Sequence, residues 1–270
     1  MPAKYAKGHV RRPDKDQLIR LMHSKHAAML QAKMAIPPPP TWDSRKNKWV
    51  GAVQDQQQCG SCWDFSGTGI VEIAYNKAGI GGGPKTFLLS EEYTLSCYHN
   101  GGCNGDDNTT VLEYAKAHGL PLKSDYPVAY GPFPDENSCK IAACAWKPAM
   151  KLHKITDWGF ADGSSGTETV ASTPAIKSAI MNYGAVGAGI AADNAFQMIK
   201  PGSVFKGSGA TQIDHDIILI GWDDSKGAWL LRNSWTTKWA DKGYCWIAYG
   251  ANHVGTEAVW CEVSSSVNQP

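Results

Sequence analysis

The sequence predicts an α+β fold with two lobes, because helical and strand patterns occupy different halves of the chain. In the first half, apolar residues recur at helical spacing in segments that glycines close. The second half consists of short apolar runs separated by glycine, aspartate or asparagine, which is typical of an antiparallel sheet or barrel. A length of 270 residues with 43% hydrophobic residues suffices for one large domain or two closely packed lobes.

The N-terminal segment predicts an amphipathic helix, since apolar residues recur at helical spacing between Asp14 and Met34. Four consecutive prolines, residues 37–40, follow and favour an extended chain. We therefore place a boundary between a short N-terminal segment, residues 1–35, called the leader below, and a main domain, residues 36–270.

The main domain is predicted to contain four further helices. The first begins at Cys62 and continues to about Lys77, where the run AGIGGG ends it. The second opens at Ser90, a favourable N-cap residue that two glutamates follow. The third ends at Gly119, and the fourth begins at Ser172.

Six short apolar runs then predict the strands of the sheet. In chain order they are AVGAGIA, GSVFKG, DHDIILIGW, GAWLLRNSW, GYCWIAYG and AVWCEVS. Glycine and polar residues between the runs supply the turns that consecutive antiparallel strands need.

The charge balance gives no support to several classes of function. The chain has 26 basic and 25 acidic residues, and no block of like charge stands out. Binding to nucleic acid or to an anionic membrane surface therefore has no electrostatic basis. No apolar run approaches the ~20 residues of a membrane-spanning helix.

Eight cysteines in a chain rich in glycine and proline indicate an oxidising compartment. We expect an extracytoplasmic protein, either secreted, periplasmic or in a lysosome-like compartment, whose export signal lies outside the given sequence. A cytosolic protein with reduced thiols is the alternative.

The stretch QDQQQCGSCWDFS holds two cysteines three positions apart, Cys59 and Cys62. These two cysteines have three possible interpretations: a redox dithiol, half of a zinc site, or a catalytic thiol beside a structural one. A redox dithiol prefers alternating strands and helices, which this pattern lacks. A zinc site needs a second pair at short spacing, and Cys97 with Cys103 supplies one by count alone.

The residues around these cysteines resemble the papain and cathepsin family of cysteine proteases. CGSCW is a local signature of that family, and the runs GAVQDQQQCGSCWDFS, LSCYHNGGCNG, DHDIILIGW and LLRNSWTTKWADKGY follow in family order. The resemblance implies a papain-like two-lobe fold with a helical left domain, an antiparallel β-barrel-like right domain and the active-site cleft between them. The helical lobe would span about 46–155, and the β lobe about 156–265 plus 36–45.

The resemblance implies a thiol endopeptidase with a Cys-His-Asn triad and an acyl-enzyme. Cys62 is then the nucleophile, and the helix N-terminus and an imidazolium lower its pKa from the ordinary ~8.5. His215 protonates the leaving amine and activates the deacylating water. Asn233 orients the imidazole, while Gln56 and the Cys62 N–H stabilise the oxyanion.

The resemblance also implies a set of substrate-binding residues in the cleft. They are Gly105, Asp106, Asn108, Ala188, Gly189, Ile213, Asp214, Val259 and Trp239, with Trp63 and Trp235 in supporting positions. Most are small or apolar, so we expect a roomy apolar pocket for the second residue before the cut. Asp106 replaces a family glycine and could narrow the cleft or favour a basic substrate group. Asp64 could oppose thiol ionisation or only help the helix to start.

The disulfides that the resemblance implies are Cys59–Cys103, Cys97–Cys139 and, as a possibility, Cys245–Cys261. Cys144 is then unpaired, or it replaces Cys139. Sequence alone does not settle the connectivity.

The leader is expected to lie across the cleft as an intramolecular inhibitor and to be removed by cleavage between Gln31 and Pro40. The partners are then peptide or protein substrates, and we expect a monomer without nucleic acid, membrane, metal or cofactor. One alternative is a catalytically weak binding protein with the papain fold, in which Asp106, Asp64 and the leader block the cleft. The other is a dithiol oxidoreductase that uses Cys59 and Cys62.

Overall fold

The computed structural model describes residues 5–98, 102–135, 140–163 and 169–264. Its helices are α1 (Lys15–Met34), α2 (Cys62–Lys77), α3 (Glu91–Tyr98), α4 (Asn108–Ala117), α5 (Thr173–Tyr183) and α6 (Asn194–Gln197). Its strands are β1 (Thr41–Asp43), β2 (Asp157–Phe160), β3 (Val186–Ile190), β4 (Val204–Phe205), β5 (His215–Asp223), β6 (Ala228–Arg232), β7 (Tyr244–Ala248) and β8 (Thr256–Glu262). In these ranges no helix combines the length and the apolar character needed to cross a bilayer.

The strands form one sheet in the order β2-β8-β3-β5-β6-β7-β4, and β1 pairs with β5 beside this path. The pairings are antiparallel except that of β4 with β7, which is parallel. The predicted α+β class is confirmed. Sequence patterns missed β1, β2 and α6, because three or four residues are too few to show a period.

Two hydrophobic cores flank β5. Ile218 and Ile220 belong to the core that includes α2, α3 and α4, whereas Ile217 and Leu219 belong to the core under α5. This division follows from the alternation of side chains along a strand. His215, the first residue of β5, therefore lies where the two cores meet.

Helix α2 packs closely between α4 and β5 and is buried along nearly all of its length. A Cβ added to Gly67 would lie 2.6 Å from Cβ of Val111, and one added to Gly69 would lie 2.5 Å from Cδ1 of Ile218. Each glycine costs about 1 kcal/mol of helix propensity relative to alanine. The close packing fixes Cys62, the first residue of α2, between the two cores.

Helix α1 of the leader lies on the main domain. Lys25 and His26 both bind Asp157 at the start of β2, at 2.9 and 3.0 Å. The ring of His26 packs edge-on against Trp260, and Leu30 joins the core under α5. The amphipathic helix expected from Asp14 to Met34 thus buries its apolar side against the β2–β8 part of the sheet.

Two disulfides join Cys59 to Cys103 and Cys97 to Cys144. The predicted Cys97–Cys139 pairing is wrong, and Cys139 itself lies outside the described residues. The hydroxyl of Tyr126 lies 3.6 Å from Sγ of Cys97 and accepts the N–H of Ala145, which holds this part of the chain beside Cys97. A disulfide from Cys97 to position 139 and one to position 144 close loops of nearly the same entropy. The spacing of the cysteines therefore does not discriminate between the two partners.

The possible Cys245–Cys261 bridge is also wrong, because both thiols are free and buried. Cys245 lies in β7 and Cys261 in β8, and β3, β5 and β6 separate these strands. At about 4.8 Å per strand they lie well beyond the ~4.4–6.8 Å between Cα atoms that a disulfide spans.

Candidate active site

The histidine and the asparagine predicted as catalytic lie side by side where β5 begins and β6 ends. Nε2 of His215 donates a hydrogen bond to Oδ1 of Asn233 at 2.8 Å. The buried Nδ1 of His215 has no hydrogen-bond partner among the described residues. Because Asn233 fixes Nε2, Nδ1 is the nitrogen that remains for proton exchange.

Tryptophans cover this pair. The Trp235 ring stacks on His215 with centroids 4.3 Å apart, and Trp239 packs edge-on against Trp235 at 5.5 Å. Burial lowers the pKa of His215 to about 4, although the Asn233 hydrogen bond favours the charged form. With the leader in place, the imidazole is therefore neutral near neutral pH.

Cys62 is a free and fully buried thiol at the start of α2. Its Sγ accepts a hydrogen bond from the main-chain N–H of Gly8 at 3.1 Å. Burial, and second the charge of Asp216, raise the pKa of this thiol, while the N–H groups of Asp216 and Gly8 oppose the shift. Asp216 directly follows His215, so the sulfur lies next to the start of β5.

Gln56 is fully buried and points its amide toward the leader. Its Nε2 donates to the carbonyl oxygens of Ala6 at 3.1 Å and Cys59 at 2.9 Å, and its Oε1 accepts from Oγ of Ser234 at 2.7 Å. Nε1 of Trp235 also donates to the Ala6 carbonyl, at 3.1 Å. A peptide carbonyl thus sits against two fixed side-chain donors.

The main chain of the leader runs through the cleft beside Asp106. The N–H of Asp106 donates to the carbonyl of Gly8 at 3.0 Å, and the Asp106 carbonyl accepts from Val10 at 2.8 Å. The N–H of His9 donates to the Asp214 carbonyl at 3.2 Å, and Tyr5 stacks on Trp235 at 4.8 Å. The described leader therefore fills the site over the sulfur.

Basic leader residues pair with acidic residues of the main domain. The pairs are Lys7–Asp214, His9–Asp216 at 2.9 Å, Arg11–Glu257 at 2.6 Å, Arg12–Glu113 at 2.5 Å and Lys15–Asp107 at 2.5 Å. The side chains of Lys15 and Asp107 are 1% and 0% exposed. Removing one partner of such a buried pair costs about 3–5 kcal/mol, so this pair anchors the leader most firmly.

The structure places Gly105 and Asp106 against the leader backbone. Gly105 has a φ of +96°, and a Cβ there would lie 2.8 Å from the Gly8 carbonyl, so a glycine is required. The Asp106 carboxylate accepts from the N–H of Asp107 at 2.7 Å and from Oγ1 of Thr110 at 3.0 Å. The side chain thus turns back to the start of α4 and does not narrow the cleft.

Four of the predicted pocket residues lie close together beside β3. A Cβ on Gly189 would lie 2.8 Å from Cγ2 of Ile213. One on Gly187 would lie 3.2 Å from Nδ2 of Asn108 and 3.6 Å from Cγ2 of Val259. The nearest atom to a Cβ on Gly187 would be Oγ of Ser66 at 2.7 Å, so neighbouring side chains pack closely against glycines at two alternate positions of β3.

The predicted pocket role of Ala188 is wrong. Ala188 lies between the two pocket glycines, so its side chain points to the opposite face of the strand and is buried in the core under α5.

Trp239 is buried and donates through Nε1 to the Gln197 carbonyl at 3.2 Å. A substrate contact by Trp239 stays a prediction.

Asp216 is the site residue that sequence reasoning missed. It is 1% exposed, and its Oδ1 accepts from Nδ2 of Asn108 at 3.4 Å. An acidic residue inside the apolar run DHDIILIGW is a usable signal, because a buried charge needs a partner. The expected apolar pocket therefore contains a carboxylate.

The Asp64 carboxyl bonds within α2, the helix that begins at the nucleophile. It is fully buried, and its Oδ1 accepts from Oγ1 of Thr68 at 2.9 Å. Burial, followed by the charge of Glu91, raises the pKa of Asp64 well above its ordinary value and so disfavours the charged carboxylate. The neighbouring Trp63 donates through Nε1 to the Gly102 carbonyl at 3.3 Å and belongs to the first core.

Comparison with known proteins agrees with this architecture. The sequence profile described as papain family cysteine protease matches residues 38–269, and the chain belongs to this family. It is 33% identical over 228 residues to a cathepsin L-like peptidase of Aedes aegypti, covering 80% of this chain and 61% of that protein. It is 29% identical over 245 residues to cathepsin L2 of Homo sapiens, covering 86% and 65%. The chain thus spans less than two thirds of the length of these two relatives.

Solved structures share the fold. Digestive procathepsin L 3 of the Tenebrio molitor larval midgut superposes with a TM-score of 0.70 at 23% identity, covering 84% of this chain and 71% of that chain. A cysteine protease of Carica candamarcensis, CMS1MS2 in complex with E-64, gives 0.67 at 26% identity, covering 84% and 99%. The predicted papain-like two-lobe fold is confirmed.

Proposed function

We propose that the protein is a thiol endopeptidase that works through Cys62, His215 and Asn233 and is made as an autoinhibited zymogen. One observation carries the proposal. A peptide segment, the protein's own leader, is held over a free thiol that lies next to the start of β5, where His215 bonds to Asn233, and a leader carbonyl lies against the Gln56 amide. Residues 1–35 are then the pro-segment and 36–270 the peptidase, with removal of the leader between Gln31 and Pro40.

Catalysis begins when the leader leaves and water reaches the cleft. The burial that favours a neutral thiol and a neutral imidazole is then relieved, and the proton moves from Cys62 to Nδ1 of His215. The N-terminus of α2 stabilises the thiolate. Asn233 keeps the imidazolium oriented through Nε2.

The thiolate of Cys62 attacks the peptide carbonyl carbon, and the oxygen takes the negative charge. Nε2 of Gln56 and the N–H of Cys62 donate to this oxyanion. His215 gives its proton to the leaving amine as the C–N bond breaks, which leaves an acyl-enzyme. His215 then takes a proton from water, the hydroxide attacks the thioester, and the acid is released with the thiol restored.

The leader occupies the site without being placed for attack. The sulfur faces the N–H of Gly8 rather than a carbonyl carbon, so no near-attack geometry exists at this residue. The Ala6 carbonyl meanwhile uses the Gln56 donor. The leader therefore inhibits both by filling the cleft and by keeping the thiol buried and protonated.

The contacts of the acids and cysteines favour a peptidase over the two alternatives. Asp64 is buried and bonds to Thr68 within α2, and the Asp106 side chain turns back to α4, so a permanent block by these acids has no support. Cys59 is bonded to Cys103 and cannot form a dithiol with Cys62. The two disulfides fit an extracytoplasmic protein, and we place this one in a secreted, periplasmic or lysosome-like setting.

Alkylation of the cysteines tests the proposal directly. The full chain is folded, its leader is cut off, and the protein is treated with iodoacetamide and mapped by mass spectrometry. Cys62 alone should react, because Cys245 and Cys261 stay buried, and peptide hydrolysis should fall in proportion to the modified fraction. The uncut chain should be protected. Labelling of Cys59 as well would favour an oxidoreductase, and full activity after complete labelling of Cys62 would rule out the peptidase.

Gly8→Val in the uncut full chain is expected to raise peptidase activity roughly 10- to 100-fold. A Cβ at Gly8 would lie 1.8 Å from the carbonyl oxygen of Gly60, so the leader must move away from the sulfur. Overpacking costs about 1–3 kcal/mol, and each ~1.4 kcal/mol is tenfold in an equilibrium. Hydrolysis of a fluorogenic peptide measures the change. Ala27→Val, on the exposed side of α1, is the control and should stay inactive. If both uncut variants lacked peptidase activity until the leader was cut, inhibition through Gly8 would be contradicted.

A further inference from the structure

The pocket beside His215 holds a carboxylate for which the proposed catalytic steps have no use. Asp216 is 1% exposed and lies opposite Gly189 in the β3–β5 register. Its Oδ1 accepts from Asn108, and its Oδ2 lies 2.9 Å from Nδ1 of His9 in the leader. The acid is thus buried next to the nucleophile and paired with a residue that leaves on activation.

The leader places a histidine side chain on Asp216, and the surrounding acids favour its charged form. The His9 side chain is 6% exposed. Burial lowers its pKa, but the charges of Asp216 and Asp107 and the Asp216 hydrogen bond outweigh burial and the repulsion by Lys15, so the pKa of His9 is raised. His9 therefore holds its proton more firmly than a free histidine and satisfies Asp216 as an ion pair.

Departure of the leader removes this cation and others close to it. Asp216 then keeps only the neutral amide of Asn108 among the partners described for it. Asp107 loses Lys15, and Glu257 loses Arg11. A carboxylate at a buried position is costly without a positive partner, so the open cleft favours a ligand that brings a positive charge.

Departure of the leader vacates the position of the His9 side chain on Asp216. Gly187 and Gly189 add no side chains to this face of β3, and Asn108 and Val259 lie beside Gly187. The Asp106 carboxylate is held by the start of α4 and leaves the entrance clear. A lysine or arginine side chain of a substrate can therefore take the position that His9 leaves and bring its charge to Asp216.

We propose that Asp216 makes this pocket selective for a basic side chain, so that the freed enzyme prefers peptides with arginine or lysine at the second residue before the cut. The inference rests on the proposed function and names the substrate class of that same site. The leader is then held by the contact that a substrate uses, with His9 in place of the substrate's basic residue.

Matched fluorogenic peptides test the inference on protein that is folded as the full chain and then cut. The peptides differ only at the second residue before the cut, which is arginine, citrulline or norleucine. Arginine and citrulline have the same shape and differ in charge. We expect kcat/KM for arginine to exceed that for citrulline about tenfold or more, and Asp216→Asn to bring this ratio near one. Asp223→Asn, which removes an acid at the far end of β5, should leave the ratio unchanged.

A binding measurement separates this inference from the proposed function. Leader-free protein with Cys62→Ala is titrated by calorimetry with uncleaved arginine and citrulline peptides. Hydrolysis that prefers norleucine, or an equal response to arginine and citrulline, overturns the pocket assignment and leaves the peptidase standing. Arginine-selective binding without hydrolysis by the intact Cys62 protein supports the pocket and overturns the peptidase. Should Asp216→Asn fail to fold, the arginine–citrulline comparison on the unaltered protein still decides.

Discussion

Replacing Cys62 with alanine in leader-free protein is expected to lower kcat/KM for peptide hydrolysis by about 10⁶-fold, the loss found when a triad nucleophile is removed. Cys62 is the free member of the CGSC pair, and it begins a helix whose N-terminus favours a thiolate. No acyl-enzyme can form without the sulfur. Hydrolysis of a fluorogenic peptide, compared at equal amounts of folded protein, measures the loss.

Cys245→Ala is the matched control, because it removes another free and buried thiol. Cys245 lies in β7, in the core under α5, and its loss should cost stability without a comparable loss of kcat/KM. A Cys62→Ala protein that retained more than a hundredth of the activity would show that the sulfur is not the nucleophile.

The closed site keeps both reacting groups neutral. Burial raises the pKa of Cys62 and lowers that of His215 to about 4, so the thiol and the imidazole are both neutral near neutral pH. The carboxylate of Asp216 further disfavours the thiolate. A basic substrate group on Asp216 would neutralise this charge at the moment of binding, which links the proposed substrate preference to ionisation of the nucleophile.

The sequence predicts the helices well because their signals are local. The glycine-rich run AGIGGG predicts the end of the helix that begins at Cys62, and the structure shows this helix from Cys62 to Lys77. His215 is different, since a lone histidine in an apolar strand is usually a core residue. Only the family motif around His215 predicts a catalytic role for it. The pairing with Asn233 depends on two strands meeting, which no local pattern contains.

What the sequence could not predict depends on contacts between distant segments. Ala188 and Gly189 are neighbours in one apolar run, yet alternation along β3 sends one into the core and leaves the other in the pocket. Asp216 looks like an anomaly in a strand until His9, more than two hundred residues earlier, is placed on it. The choice of Cys144 as the partner of Cys97 depends on Tyr126, whose hydroxyl holds Ala145 beside Cys97. The spacing of the cysteines does not show this contact either.

Gln56→Ala in leader-free protein is expected to lower kcat about 10²–10³-fold with little change in KM. Its amide is held in place before any substrate arrives, because Oε1 accepts from Ser234 and Nε2 also donates to the Cys59 carbonyl. A preset donor stabilises the oxyanion more than the ground-state carbonyl, so the loss belongs in kcat. Steady-state kinetics on a fluorogenic peptide measures it.

The same substitution should also weaken binding of the leader to the cleft, since Nε2 of Gln56 donates to the Ala6 carbonyl. A synthetic leader peptide should therefore inhibit the Gln56→Ala protein less well than the unaltered one. Gln54→Ala is the control, because its amide bonds to Ala52 and Lys123 instead. A rise in KM alone would make Gln56 a substrate-binding residue, whereas a fall in kcat together with weaker leader inhibition shows that the leader occupies the oxyanion donor with a carbonyl of its own.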